Sequence, residues 1–572
     1  MKNAKTNAAP KILNGIPSSP GMFMGKAIVL KAETVIVPDE KISADKIPAE
    51  IERFNNAIDE VIREYEQTVS LLEKSHSSVT SIIETSLQLI KDDFLLQEIR
   101  KLIALGFTVE SSITQYLDTQ KQFFLSAKDS IIRDRAIDIE NLKDRLLSTL
   151  RHKNIYYKIG KGTIVVAKSV TPTELVHFKE AGVGGIITEV GGITAHFSIM
   201  ARSFEIPTLI GISNATSKVK NGSEVIINGY SGWAMLNPDS KAIGSYQLKK
   251  AIEEEHRARL SELRTLKSET QDGHKILVLS NINSDQDIET AAKVKADGVG
   301  LVRTESLIIS LNKIPSEKVQ FDWYLQMANI AYPDPITFRA FDIGSDKFSE
   351  GIPFHEANPA LGLRGIRFLL HRKDIFKSQI RAILRSSGNK NVRFMLPMII
   401  SLSEVFETKK LIEECKAELR ESGSVFDENM PLGIMVETPS AALMSENFAK
   451  HVDFFSIGSN DLTQYALAAD RTNDLVLENF DSFHPAVLKL IKLTATAAQN
   501  AGIKVCVCGE IAGHIAATEL LIGLGINELS ISPSIHLETK KRIRQTNYAA
   551  AGKLAEQVLH CDSPAEVMEL LS

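Results

Sequence analysis

The spacing of apolar residues changes twice in the first half of the chain. Residues 11–30 alternate between apolar and polar side chains, with glycine and proline between them, which predicts short strands. From about 47 to 148, apolar residues recur at steps of three and four, as at Ile51, Phe54 and Ile58, which predicts helices with one apolar face. Similar apolar faces recur near 79–91, 94–104, 109–127 and 129–150. The pattern therefore predicts a helical bundle of antiparallel hairpins.

Residues 151–239 return to a mixed α/β pattern. Short apolar runs bounded by turn residues predict buried strands at 163–168, 185–188, 207–212 and 224–228. The helical block, 34–150, is therefore predicted to be an insertion in a small α/β domain made of residues 1–33 and 151–239. Residues 240–272 are highly charged and almost free of glycine and proline, which predicts a long exposed linker helix.

The remainder of the chain, 273–572, alternates between apolar strand segments and amphipathic helical segments. Eight alternations in this length match the count and size of a (β/α)8 TIM barrel. The predicted strands are 276–281, 298–305, 337–343, 392–399, 432–437, 454–460, 504–509 and 528–532. The predicted fold class is thus multidomain α/β: a small α/β domain with an inserted helical bundle, a linker helix and a C-terminal TIM barrel.

Composition argues against several classes of protein. The 572 residues are 44% hydrophobic and 24% charged, an ordinary globular composition. No apolar run approaches the ~20 residues that span a membrane, and residues 1–21 lack the apolar core of a secretory signal, so neither membrane insertion nor secretion is expected. Four scattered cysteines indicate a reducing, cytoplasmic setting. Nothing resembles the basic stripe that nucleic-acid binding needs, whereas the acidic excess of 33–148 suits either a solvated surface or a docking face for a basic protein.

One histidine stands in a segment suited to phosphoryl chemistry. His196 follows the double glycine Gly191-Gly192 and begins a segment that is predicted to be helical. Glycine lets the backbone approach a bound group closely, and a helix N-terminus offers free N–H groups to an anion. Because a single histidine in a glycine turn is more often structural, this interpretation depends on the rest of the chain.

Charged residues cluster where the predicted barrel strands end, which is where such barrels place their reactive groups. Arginine binds phosphate and carboxylate oxygens in bidentate fashion, and Glu437 and Asp461 could hold Mg²⁺ beside a small phosphorylated acid. The Cys508 thiol could protonate a carbon centre, although a buried core cysteine is the commoner role. Cys506 and Cys508 form a C-x-C pair without the further ligands of a zinc site. The candidates are Arg303, Glu305, Arg339, Asp342, Arg364, Glu437, Asn460, Asp461, Arg471, Cys508 and Glu510.

The motifs that contain these residues resemble enzyme I of the bacterial sugar phosphotransferase system, the phosphoenolpyruvate–protein phosphotransferase family. SIGSNDLTQY and GIMVETP are highly specific, and the matching segments cover most of the chain in family order. The segments are GGITAHFSIMARSFEIPTLIG, GVGLVRTE, FRAFDIGSDK, NPALGLRGIR, MLPMI, GIMVETP, DFFSIGSNDLTQYALAADR and CVCGEIAG.

The resemblance implies a role for each candidate. His196 corresponds to the histidine that accepts the phosphoryl group, on a domain that swivels, and Cys508 to the proton donor for enolpyruvate. Glu437 and Asp461 correspond to the Mg²⁺ ligands. The substrate-binding positions are Arg303, Arg339, Arg364, Asn460 and Arg471. The helical insertion would dock the histidine-containing phosphocarrier protein HPr or a paralogue, and the barrel, 273–572, would bind phosphoenolpyruvate and form a homodimer.

Several positions depart from the usual enzyme I pattern. Arginine is common where this chain has Ile193, and serine where it has Ala195. The other departures are Ser86, Lys91, Ser306, Ser345 and His514. Because the core catalytic residue types are intact, we expect these changes to affect partner affinity more than activity.

Three other functions compete with this one. Pyruvate phosphate dikinase and phosphoenolpyruvate synthase share the phosphohistidine and barrel modules, but they carry a large nucleotide-binding domain before the histidine. Neither Gly25-Lys26-Ala27 nor Gly552-Lys553-Leu554 completes a phosphate-binding loop, which argues against direct use of ATP. A regulatory relative that binds a carrier without turnover would explain the departures near His196. A barrel lyase would leave His196 and the helical insertion without a role.

Overall fold

The computed structural model describes residues 10–30, 41–72, 83, 86–125, 130–150, 159–190, 196–311, 313–344, 358–471, 473 and 476–572. The chain divides into two compact units, Met1–Glu255 and His256–Ser572. Each unit has its own sheet. Among the described residues, no helix is both long and apolar enough to cross a membrane.

The first unit contains an eight-stranded mixed sheet with the strand order β1-β8-β7-β3-β4-β5-β6-β2. The strands are β1 (Lys11–Asn14), β2 (Ile16–Ser19), β3 (Met22–Leu30), β4 (Thr163–Ala167), β5 (Gly185–Thr188), β6 (Thr208–Ile210), β7 (Glu224–Asn228) and β8 (Trp233–Leu236). The helices of this unit include Ile47–Leu72, Asp93–Ala104, Val109–Leu125, Ser130–Leu150, Pro172–Glu180, His196–Ser203 and Ala215–Lys218, followed by Ser240–Glu262, and residues 86–90 are also helical.

The helical block is inserted between two neighbouring strands of this sheet. β3 and β4 pair in parallel, with Lys26 opposite Thr163 and Leu30 opposite Ala167, although four long helices separate them in the sequence. The predicted apolar face is buried: Phe54, Ile58 and Val61 lie in the core of the bundle. The prediction of an inserted helical bundle in an α/β domain is confirmed.

The charged linker is helical over a shorter stretch than predicted. The helix Ser240–Glu262 buries only Tyr246, and the division between the two units falls within it, between Glu255 and His256. It ends before the predicted limit of 272 because the chain then attaches to the barrel. There the Ser268 hydroxyl donates to Asp297 Oδ2 at 2.9 Å, and Gln271 N donates to Thr546 O at 2.9 Å.

The second unit is a closed barrel of eight parallel strands. The strands are β9 (Leu277–Ile282), β10 (Val299–Val302), β11 (Ile336–Arg339), β12 (Val392–Leu396), β13 (Leu432–Val436), β14 (Phe454–Ile457), β15 (Lys504–Val507) and β16 (Glu528–Ile531). Each overlaps one predicted strand, so the predicted TIM barrel is confirmed. The other helices of this unit are Asp285–Val294, Glu305–Leu311, Glu317–Ala331, Ile366–His371, Lys373–Ser386, Leu402–Glu421, Pro439–Leu443, Ser445–Phe448, Ser459–Leu467, Pro485–Ala501, Ala517–Leu524, His536–Gln545, Tyr548–Leu559 and Pro564–Leu571.

Side chains alternate between the inside and the outside of the barrel. On β14, Phe455 and Ile457 belong to the large core beneath the helices, whereas Phe454 belongs to a small cluster with Leu301, Met395, Met435 and Cys508. This alternation follows from strand geometry, because successive side chains of a strand point to opposite faces. Because all eight strands are parallel, the residues that follow their carboxyl ends lie around one rim of the barrel.

Candidate active site

Eight of the predicted site residues lie at that rim or in the loops beyond it. Arg303 follows β10, Arg339 ends β11, Glu437 follows β13 and Cys508 follows β15. Asn460 and Asp461 lie in the first turn of the helix Ser459–Leu467, directly after β14. Arg364 and Arg471 lie in loops, and both Arg303 and Arg471 are exposed.

Arg339 is a buried cation among carboxylates. Its Nη2 donates to Glu305 Oε1 at 3.1 Å, and its Nη1 lies 3.6 Å from Asp342 Oδ2. Burial alone would lower the pKa of Arg339, but the negative charges of Glu305, Asp342 and Glu437 outweigh that effect and raise it. The guanidinium is therefore permanently charged at the floor of the site.

Arg364 joins two of the acidic groups from a loop. It donates to both oxygens of Asp342, from Nε at 3.1 Å and from Nη2 at 2.7 Å, and its Nη1 lies 3.7 Å from Asp461 Oδ1. Nη1 also donates to the Tyr465 hydroxyl at 3.3 Å, and that hydroxyl donates to Ala360 O at 2.5 Å. A bidentate contact of this kind fixes both the position and the orientation of an arginine.

Glu437 is the most deeply buried carboxylate of the rim. Its Oε1 accepts a hydrogen bond from Met398 N at 2.6 Å, and its Oε2 is buried with no hydrogen-bond partner among the described residues. Burial, together with the charges of Asp461 and Asp342, raises the pKa of Glu437 to about 8 against the opposing effect of Arg339. Buried carboxylates that repel one another and leave an oxygen unbonded form a site for a cation.

A glycine leaves room for this carboxylate. A Cβ atom on Gly458 would lie 2.9 Å from both Cβ and Oε2 of Glu437. Any side chain at position 458 would therefore displace Glu437.

The residues present fit a metal ion with few protein ligands. Within the described part of the chain, no three His, Cys, Asp or Glu side chains converge as a metal site. Glu437, whose buried Oε2 has no hydrogen-bond partner among the described residues, and Asp461 could supply two carboxylates, with the substrate and water as the remaining oxygens, which is an arrangement that Mg²⁺ prefers.

Asn460 and Glu510 hold each other in place. Asn460 Nδ2 donates to Glu510 Oε1 at 2.9 Å, and Glu510 N donates to Asn460 Oδ1 at 2.8 Å. This pair links the first turn of the helix after β14 to the turn after β15.

Cys508 is buried inside the mouth of the barrel. Its thiol donates to Ile457 O at 3.5 Å and packs with Met395, Met435 and Phe454. Burial raises the pKa of the Cys508 thiol. Cys508 is therefore a protonated thiol near neutral pH, which is the form that a proton donor needs.

His196 belongs to the first unit. It is the first residue of the helix His196–Ser203, which is anchored by the buried side chains of Phe197, Met200 and Ala201. The imidazole itself lies outside the described part, as do Ile193 and Ala195.

The remaining departures from the enzyme I pattern have local structural roles, except Ser345, which is not among the described residues. Lys91 Nζ donates to Glu66 Oε1 at 2.7 Å, and Ser306 Oγ donates to Arg303 O at 2.8 Å. His514 packs edge-on against Phe483, and Ser86 is half-buried in a helical segment.

Comparison with known proteins identifies the family. Three models of PEP-utilising enzymes match successive parts of the chain: the N-terminal domain over 14–135, the mobile domain over 159–232 and the PEP-binding domain over 257–548. The phosphoenolpyruvate-protein phosphotransferase of Haemophilus influenzae is 37% identical over 98% of both chains. That of Buchnera aphidicola subsp. Schizaphis graminum is 36% identical over 98% of this chain and 99% of its own.

This chain belongs to the phosphoenolpyruvate-protein phosphotransferase family. It is an enzyme that takes its phosphoryl group from phosphoenolpyruvate, and enzymes of this family need a metal ion. An NMR solution structure of an Enzyme I protein is 31% identical and covers 42% of this chain and 99% of its own, with a TM-score of 0.37. The identity to the two phosphotransferases, 37% and 36% over 98% of this chain, confirms the resemblance that the motifs indicate.

Proposed function

We propose that this phosphoenolpyruvate-protein phosphotransferase moves the phosphoryl group to its own His196 and then to a histidine of HPr or a paralogue, and releases pyruvate. The observation that carries the proposal is a group of charged residues at the barrel mouth, in which Arg339 and Glu437 are buried and Arg364 and Asp461 are half-buried. Its two cations match a phosphorylated carboxylic acid, and its two carboxylates match a divalent cation.

Substrate binding divides among the residues of the rim. Arg303, Arg339 and Arg471 would hold the phosphate and carboxylate oxygens, with Arg364 and Asn460 at the edge of the substrate. Glu437 and Asp461 would hold Mg²⁺, which supplies charge neutralisation to the phosphoryl oxygens when it is bound. Positive groups fixed in a buried site in this way stabilise the charge that develops during transfer.

The chemistry requires a nucleophile and an acid. A neutral nitrogen of His196 attacks phosphorus, the bond from phosphorus to the enol oxygen breaks, and the enolate of pyruvate is left. C3 of the enolate then takes the proton of Cys508 Sγ–H, C2–O becomes a carbonyl, and a thiolate remains. The burial of the thiol keeps that proton in place until the enolate forms.

The domain boundaries given by the sequence suit this sequence of steps. His196 lies on the α/β domain, 1–33 and 151–239, and the substrate groups lie on the barrel, 273–572, so the two must approach each other for transfer. We infer that the linker, 240–272, permits this movement and that the helical insertion, 34–150, docks the carrier. The match of residues 159–232 to the mobile domain of PEP-utilising enzymes supports this movement. We further propose that the enzyme acts in the cytoplasm as a homodimer formed through the barrel.

Pyruvate stoichiometry tests this function. With phosphoenolpyruvate and Mg²⁺ alone, the enzyme should release a single burst that approaches one pyruvate per chain, because His196 becomes occupied. Addition of purified HPr should convert the burst into continuous release. Continuous release without a carrier would instead indicate a hydrolytic or lyase activity and would contradict the proposal.

Replacement of Cys508 with serine tests the proton donor. We expect phosphoryl transfer to His196 to persist, while steady-state pyruvate formation with HPr falls by about 10²-fold, the usual contribution of a positioned acid. A serine hydroxyl is a far weaker acid than a thiol. The matched control is Cys415→Ser, because Cys415 is equally buried in the helix Leu402–Glu421. An unchanged rate in Cys508→Ser would remove the cysteine from the mechanism.

A further inference from the structure

The interior of the barrel holds a second thiol that the proposed mechanism leaves without a role. Cys506 lies two residues before Cys508, so the two side chains point to the same side of the chain. Val505 and Val507 face the outer core, and Cys506 and Cys508 are each 3% exposed inside the barrel.

The strand register places a polar row across three neighbouring strands at the level of Cys506. Ser456 of β14 is the backbone partner of Cys506 on one side, and Glu528 of β16 is its partner on the other. Ser456 is 1% exposed and Glu528 is 2% exposed. On the other side of Ser456, its backbone partner on β13 is the apolar Met435, which packs with Met395.

The Ser456 hydroxyl is uncommitted while both cysteines are protonated. The Cys508 thiol donates to Ile457 O at 3.5 Å, and the Cys506 thiol donates to Val507 O at 3.6 Å. Ser456 Oγ is buried with no hydrogen-bond partner among the described residues. In the strand register Ser456 is opposite Cys506, and Cys508 follows two residues later on the same face; the Ser456 hydroxyl lowers the pKa of each thiol against the opposing effect of burial.

The surrounding charges distinguish the two thiols. After burial, the negative charge of Glu528 is the strongest influence on Cys506, and it raises the pKa of that thiol. Glu528 is itself held by Arg393, with Nη1 and Oε2 3.1 Å apart. Around Cys508, the charge of Glu437 raises the pKa, whereas Arg339 and Arg303 lower it. A negative charge on sulfur is thus better tolerated at Cys508, and Cys506 stays a thiol that can donate.

We propose that Ser456 is a positioning residue for the proton transfer: its hydroxyl donates a hydrogen bond to the Cys508 thiolate, and the Cys506 thiol donates to Ser456 in turn. This rests on the proposed role of Cys508 as the proton donor. When C3 of the enolate takes the proton, the electron pair of the S–H bond stays on Sγ of Cys508. The Ser456 hydroxyl then turns to that sulfur, and water that enters after pyruvate has left returns the proton.

Hydrogen exchange at C3 of pyruvate isolates this step from phosphoryl transfer. The full-length enzyme with Mg²⁺ and pyruvate in D₂O should replace the methyl protons with deuterium, because Cys508 thiolate formation and the reverse proton transfer both occur without phosphate. We expect Ser456→Ala to slow the exchange by about tenfold or more, the effect of one hydrogen bond to a charged group. Labelling of His196 by ³²P-phosphoenolpyruvate in a single turnover should keep its rate.

The hydrogen bond from the Cys506 thiol to the Ser456 hydroxyl can be tested by a rescue experiment that leaves Ser456 intact. Cys506→Ala should slow the exchange, and Cys506→Ser should restore it, because a serine hydroxyl can donate to Ser456 as the thiol does. The matched controls are Ser280→Ala, which removes another buried barrel-strand hydroxyl that has no hydrogen-bond partner among the described residues, and Cys415→Ala.

The possible outcomes separate the two proposals. Equal exchange in Ser456→Ala and Ser280→Ala overturns the role of Ser456. A parallel loss of exchange and labelling in Ser456→Ala also overturns it, because the residue is then only structural. If Cys508→Ser exchanges as fast as the unchanged enzyme, the proton donor itself is wrong. If exchange is slow in Cys508→Ser but normal in both Ser456→Ala and Cys506→Ala, Cys508 remains the proton donor. Only the proposed roles of Ser456 and Cys506 are then rejected.

Discussion

Replacement of His196 with alanine should abolish phosphoryl transfer and leave phosphoenolpyruvate binding nearly intact. The proposed substrate groups, such as Arg339 and Arg364, all lie in the second unit, whereas His196 lies in the first. Loss of a nucleophile removes the reaction path, so we expect pyruvate release to fall by about 10⁴-fold or more. Pyruvate formation with HPr and calorimetric titration with phosphoenolpyruvate and Mg²⁺ would measure the two effects separately.

The control for this variant is His177→Ala. His177 is a half-buried histidine of the same unit, on the helix Pro172–Glu180, and its replacement should leave transfer unchanged. Lost binding of phosphoenolpyruvate in His196→Ala would count against a substrate site at the barrel mouth. Residual transfer at a substantial rate would count against His196 as the acceptor.

Replacement of Glu437 with glutamine should lower transfer by about 10²–10³-fold, because a metal ion contributes several kcal/mol of charge stabilisation and this change removes a ligand charge at constant shape. The concentration of Mg²⁺ that gives half of the remaining activity should rise. A titration of the rate against Mg²⁺ measures both effects. Glu446→Gln, at an exposed carboxylate in the helix Ser445–Phe448, is the control.

The pH dependence of unfolding shows whether the loss comes from misfolding. Burial raises the pKa of Glu437 to about 8 in the folded protein, so without metal the folded state binds more protons than the unfolded chain between the ordinary glutamate pKa and 8. The free energy of unfolding should therefore fall as the pH rises through this window. In Glu437→Gln the free energy of unfolding should not decrease in this way, and the variant should be at least as stable as the unchanged protein at pH 8. A less stable variant would assign the lost activity to folding.

The periodicity of the chain was sufficient to predict the fold. All eight barrel strands were predicted, but several were too long at their carboxyl ends. The predicted segment 298–305 contains β10 (Val299–Val302) and then Arg303 and Glu305, which leave the barrel for the rim. The sequence pattern predicts a strand over the whole apolar segment and the residues next to it. The strand itself ends where its backbone no longer forms hydrogen bonds with the neighbouring strand.

The gathering of these charged residues at one rim was predictable from the sequence, but their hydrogen-bond network was not. Parallel strands bring their carboxyl ends to one rim, which is why Arg339, Glu437 and Asp461 could be assigned to one place. The contacts of Arg364 with Asp342 and Tyr465, and the unbonded Oε2 of Glu437, depend on rotamers and loop paths that local pattern does not encode. Tyr465, which accepts a hydrogen bond from Arg364, is a neighbour of the candidate site that the sequence argument missed, although it lies within the SIGSNDLTQY motif.

The interior of the barrel shows the same limit. The C-x-C spacing predicts that Cys506 and Cys508 face the same way, but not which residues lie opposite. That depends on the stagger between strands, which brings Ser456 and Glu528 to either side of Cys506.

Covalent labelling tests the central claim most directly. The purified enzyme is incubated with ³²P-phosphoenolpyruvate, with and without Mg²⁺, and the labelled peptide is identified after digestion. We predict a label that is acid-labile and base-stable, requires the metal ion and lies on the peptide that contains His196. A label on another peptide, or no label on folded protein beside an active control enzyme, would contradict the account.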